Sequence, residues 1–138
     1  MPQQNSTGHF TNMKLQVIKD PVYMADIVVI SNASAHDINK WSQKKMNIDV
    51  FPPEWGNNMI GGVLKINNEA GGTFYIVWFK EDKPALRTVC HETLHLIAQV
   101  LDDRLCDFDP QNQEPYAYYM DFMFGSILRV LPKNLEIG

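Results

Sequence analysis

A chain of 138 residues, 45% apolar and 20% charged, holds enough material for one globular domain with one core and too little for two. Its net charge of −4, with Lys44-Lys45 as the longest basic run, argues against a nucleic-acid partner. No apolar stretch approaches the ~20 residues that span a bilayer, so no membrane partner is expected.

The first twelve residues are polar and read as a disordered arm, with His9 a surface residue. They show neither the basic start nor the apolar run of a signal peptide, which predicts a cytoplasmic protein. Residues 13–138 then form a single domain. Met13 to Lys19 alternates apolar and polar side chains, the pattern of a strand with one buried face. Asp20-Pro21 marks a turn. Ala25 to Ser31 is a β-branched apolar run, expected as an interior strand. Ser34 is placed to cap a helix whose core side carries Ile38, Trp41 and Lys45-Met46, leaving His36 exposed. Pro52, Pro53, Gly56 and Asn57-Asn58 make residues 50–61 a loop, in which Trp55 is expected to fill a small satellite core.

Residues 62–67 and 73–79 read as two strands joined by the turn 68–72, hence a hairpin, and 73–79 is the strongest strand signal in the chain. Glu81-Asp82-Lys83-Pro84 signals a helix start. The helix that follows is expected over 84–104, with Leu86, Val89, Cys90, Leu94, Ile97, Val100 and Leu101 on its apolar side. A loop over 106–112 leads to a last helix over 113–130, ended by Pro132, with Tyr116, Met120, Met123, Phe124, Ile127, Leu128 and Leu131 available for packing. Cys90 and Cys106 lie roughly 20 Å apart along the first of these helices, too far for a disulfide, which predicts free thiols in a reducing compartment. Cys90 reads as a small buried apolar residue, with metal ligation as the alternative.

The chemistry-bearing stretch is His91-Glu92-Thr93-Leu94-His95. On a helix, residues four apart share a face, so both imidazoles reach one ion. Two neutral histidines with a neighbouring carboxylate suit catalytic Zn²⁺, one per chain, with Glu92 as general base. His-Glu-x-x-His is a metalloprotease pattern. A set of two histidines and one carboxylate also suits Fe(II).

Flanked by Thr88-Val89 and Leu96-Ile97, with no proline inside it, the motif resembles the longer consensus of the zincin superfamily of zinc peptidases. Glu114 and Ala117 stand in the Glu-x-x-Ala spacing of its gluzincin branch. That resemblance implies an α+β, minimal zincin-like domain: a small, mostly antiparallel sheet packed on the His-Glu-x-x-His helix and on a C-terminal helix carrying the third ligand. It implies Glu114 as that ligand, with Asp109, Asp107 and Asp121 as competitors. It also implies a peptide or protein substrate paired with strand 73–79. More narrowly, residues 73–128 resemble short phage-encoded metallopeptidases, which implies the host cytoplasm. Helical spacing puts Tyr118 on Glu114's face, where it is the candidate oxyanion donor. Asp121, on the same face, is placed to accept the second N–H of His91 or His95.

The function expected is a zinc-dependent peptidase. The alternatives are a non-catalytic protein-binding module on the same scaffold and a zinc amidase acting on a non-peptide bond. The sequence leaves the oligomeric state open.

Overall fold

The computed structural model describes residues 3–4, 10–52, 58–68 and 72–138. Gln3–Gln4 (β1) and Phe10–Thr11 (β2) pair antiparallel in a short ribbon, and residues 1–2 and 5–9 of the expected arm, His9 included, lie outside the described residues, as does Trp55. Four further strands form the main sheet: β3 (Lys14–Lys19), β4 (Asp26–Ser31), β5 (Gly61–Asn68) and β6 (Gly72–Phe79), in the order β3-β4-β6-β5. Three helices complete the chain: α1 (Ala35–Met46), α2 (Leu86–Asp103) and α3 (Glu114–Val130). The β3/β4 and β5/β6 pairs are antiparallel and the β4/β6 pair is parallel. The α+β expectation is met.

The parallel pair explains why 74–79 is apolar at successive positions. A strand paired on both edges and covered on both faces has no solvent side. Alternation sends Tyr75, Val77 and Phe79 into a core with α2 and α3, and Ile76 and Trp78 into a second core under α1. The sheet is therefore covered on both faces, with α1 opposite the other two helices.

Its position also corrects one expectation. β6 has β4 on one edge and β5 on the other, so it has no free edge for a substrate strand. Among the described residues the free edges of this sheet belong to β3 and β5. β3 shows the cost of an edge position: of its apolar residues only Ile18 is buried, while Leu15 and Val17 remain exposed.

Local sequence accounts for α1. Ser34 accepts from the Asp37 N–H and Asp37 accepts from the Ser34 N–H, a reciprocal capping box. Ile38 is buried beneath the helix, while Trp41 and Met46 are half-buried and Lys45 is exposed. Among the described residues no helix is long and apolar enough to cross a membrane.

Candidate metal centre

The phase of α2 differs from the expected one. Val89, Leu96, Ile97, Val100 and Leu101 enter the core, together with Glu92 and Thr93, whereas Cys90 and Leu94 face outward. Thr93 is tolerated inside because its hydroxyl donates to the Val89 carbonyl at 2.6 Å. This rotation leaves His91 and His95 exposed on one side of the helix.

The two imidazoles converge. Their Nε2 atoms are 3.2 Å apart and their ring centroids 4.8 Å, with the planes at 73°. Two nitrogens each bound to a tetrahedral zinc at its usual length stand roughly 3.3–3.4 Å from one another. The pair therefore has the spacing of two ligands on one such ion. In that state both Nε2 atoms must be unprotonated, which assigns the remaining proton of each ring to Nδ1.

Glu92 follows His91 and is turned by about 100° around the helix, toward the sheet. It is only 6% exposed. Burial pushes its carboxyl pKa up, and the charges of His91 and His95 pull it down. The carboxylate accepts no hydrogen bond from a described residue. Gly61 makes this position possible. A Cβ there would sit 3.3 Å from Glu92 Oε2 and 2.8 Å from the Trp78 carbonyl oxygen, so only glycine lets the start of β5 pass this close. One ligand atom each from His91, Glu92 and His95 falls within 4.8 Å of the others, and this is the one such group of His, Cys, Asp and Glu among the described residues.

A cleft of about 620 Å³ opens beside the trio, between Asn58–Gly61 and the first turns of α2, and its lining includes Arg87, Thr88, His91, Glu92 and Gly138. The chain's last residues build one wall. Ala85 offers no side-chain cap to α2, and no acid stands in its first turn. Instead the Leu86 N–H donates to the Glu136 carbonyl at 2.8 Å and the Arg87 N–H to the Ile137 carbonyl at 3.2 Å, while Arg87 Nη1 donates to Gly138 O at 3.3 Å.

The structure does not bring the other sequence candidates to this trio. Glu114 is the exposed first residue of α3 and lines a separate cavity with Tyr23, Tyr118 and Tyr119. The reason lies in the connection. Residues 104–113 start α3 beyond the end of α2, eight residues after His95, and eight residues are about 12 Å of helix. Tyr118, 71% exposed, stays with Glu114 in that second cavity. Asp109 is held in its own loop, bridged to Asn112 and accepting from the Gln111 N–H. Asp107 and Asp121 are exposed and outside the trio, and so is Cys90, which is an exposed free thiol instead of a buried small residue.

Two contributors escaped sequence reasoning. Gly61 reads there as loop punctuation, although a glycine at a strand start is also the mark of a close backbone approach. The C-terminal strap gives no local signal at all, because backbone carbonyls are common to every residue. No protein-family model, curated protein or solved structure matches the chain, so the zincin resemblance stands on the motif and its geometry.

Proposed function

We propose that this chain is a zinc-dependent peptidase whose ion is held by His91 and His95 and whose general base is Glu92. The observation that carries the reading is the 3.2 Å Nε2 separation beside Glu92, a buried residue whose carboxylate accepts no hydrogen bond from a described residue and faces the cleft. When bound, zinc supplies Lewis-acid chemistry: it makes a coordinated water more acidic and polarises a carbonyl. The chain's own residues do the rest. Glu92 takes a proton from the attacking water and passes it to the leaving amine. An extended peptide pairs with the free edge of β5 and so runs past Gly61 and Glu92. The exposed thiol of Cys90 suits a reducing cytoplasm.

One observation favours the rival reading, a protein-binding module that retains metal and cleaves nothing. Among the described residues no carboxylate other than Glu92 joins the histidine pair. If Glu92 completes the coordination, it is not free to act as a base.

Glu92→Gln, assayed for zinc content and for hydrolysis of unfolded protein and of mixed peptides, separates the two. The peptidase reading expects about one zinc per chain in wild type and variant, with activity lower in the variant by about 10²–10⁴-fold. Zinc lost in Glu92→Gln identifies a ligand and supports the rival. Zinc absent from the wild type, or retained in His91→Ala at full affinity, refutes both.

A further inference from the structure

We propose that the end of the molecule where the β3–β4 turn meets the α2–α3 loop is a protein-docking surface, which takes an apolar side chain from a partner segment flanked by lysine or arginine. Ten large apolar side chains are exposed among the described residues, and five of them, Val22, Met24, Leu105, Phe108 and Tyr118, come from this end of the molecule. Scattered exposed apolar residues are ordinary, but a concentration of them is a mark of an interface.

The segments that carry them are joined. Arg104 Nε donates to the Tyr23 carbonyl at 2.9 Å, which ties Leu105 and Met24 to one neighbourhood. Tyr23 stands edge-on to Tyr119 at 4.8 Å, and Phe108 edge-on to Tyr116 at 5.0 Å. Between the turn and α3 opens a cavity of about 400 Å³, walled by Val22, Tyr23, Pro115, Tyr118, Tyr119 and Phe122. That is room for one leucine or phenylalanine side chain, and aromatic walls of this kind are where interface energy concentrates.

The cavity is built before any partner arrives. The buried Asp20 carboxylate accepts from the Val22 N–H at 2.7 Å, the Tyr23 N–H at 3.1 Å and the Tyr119 hydroxyl at 2.6 Å, locking the turn onto α3. A rigid pocket binds with less ordering cost.

The rim decides the occupant. Glu114 lines the cavity, Asp102 stands in the last turn of α2 and Asp107 and Asp109 in the loop that leads to α3; all four are exposed and make no salt bridge among the described residues. The carbonyl end of α2 adds negative potential. The one base in this stretch, Arg104, donates to the Tyr23 carbonyl and offsets only one of these four charges. A second copy of the chain, joined by a two-fold axis, sets these acids against themselves, and an anionic membrane is repelled by them. A basic-flanked apolar segment complements both the cavity and its rim. None of the residues lining this cavity lines the cleft at His91 and Glu92, so the surface stands whether or not the chain hydrolyses peptides.

The test is fluorescence anisotropy with a labelled Leu-Phe-Leu peptide flanked by three lysines on each side, against its glutamate-flanked counterpart. The lysine peptide is expected to bind at least about tenfold tighter, and to weaken between about 0.05 and 0.5 M salt. The double variant Leu105→Ser, Tyr118→Ala changes only exposed side chains and is expected to weaken it by at least about tenfold. The proposal is overturned by equal affinity for the two peptides, by no binding at about 1 mM, or by binding that the double variant leaves intact. It is also overturned by a sedimentation profile showing a wild-type dimer that the double variant dissolves, since a second copy then covers the surface.

Discussion

Removing Glu136, Ile137 and Gly138 tests whether the C-terminal strap holds the metal helix. The deletion takes away the acceptors of the Leu86 and Arg87 N–H groups and the Arg87 side-chain bond. Both amides then turn to water, so the loss is that of a helix cap and not that of a buried orphan. The two backbone hydrogen bonds are that cap, and their loss is about 1–2 kcal/mol. For 138 residues the unfolding entropy near the midpoint is about 0.3 kcal/mol/K, which converts that loss to a fall in Tm of about 3–7 °C. Differential scanning calorimetry reads the fall, and hydrogen exchange should show the Leu86 and Arg87 amides exchanging first. Ala85→Ser in the shortened chain supplies a side-chain cap and should recover about 1 kcal/mol. Because the frayed turn reaches Val89, two residues before His91, zinc affinity should drop about threefold to tenfold. A Tm within about 1 °C of wild type, with no response to Ala85→Ser, refutes the capping argument.

Three further expectations rest on other parts of the fold. Tyr75 donates its hydroxyl to Asp103, and burial and that bond raise its pKa to about 12 from an ordinary 10. The phenol is held neutral in the fold, so its stabilisation is complete below pH 10 and is lost as the pH climbs toward 12. The loss is up to about 3 kcal/mol, seen in urea titrations across that range and absent from Tyr75→Phe. Tyr119→Phe removes one donor from the buried Asp20 carboxylate and should cost about 1.5–3 kcal/mol in the denaturant midpoint. The exposed Cys90 should react with a thiol reagent in the native protein well before the half-buried Cys106, with both thiols counted after unfolding.

What was legible in the sequence is what local chemistry decides. Ser34 announced the start of α1, and the β-branched apolar run of 25–31 announced an interior strand, whereas 73–79 announced a strand but not its place between two others. The rotation of α2 was less legible. Counting apolar residues placed Cys90 and Leu94 inside, while the helix buries Thr93 and Glu92, each through a neighbour that periodicity does not register: the Val89 carbonyl and the hydrogen-only face of Gly61. The third ligand failed for a different reason. Spacing counts residues between His95 and Glu114, but where the second helix begins is set by the path of residues 104–113. That path leaves Glu114 beside Tyr23, at the end of α2 where Arg104 meets the β3–β4 turn.

Glu92 is the residue that packing alone does not explain. Glu92 is buried as a residue, its carboxylate accepts no hydrogen bond from a described residue and faces the cleft, and burial penalises its charge. Gly61 gives up a side chain so that β5 can close over it. Beside it two imidazoles hold their Nε2 atoms 3.2 Å apart, in lone-pair opposition unless one carries a proton that the other accepts. A divalent cation between the rings would accept both nitrogen lone pairs and give the Glu92 carboxylate a positive neighbour. The proposed metal site therefore couples ion binding to the stability of this helix. This predicts that zinc raises the Tm of wild type and leaves that of His91→Ala, His95→Ala unchanged.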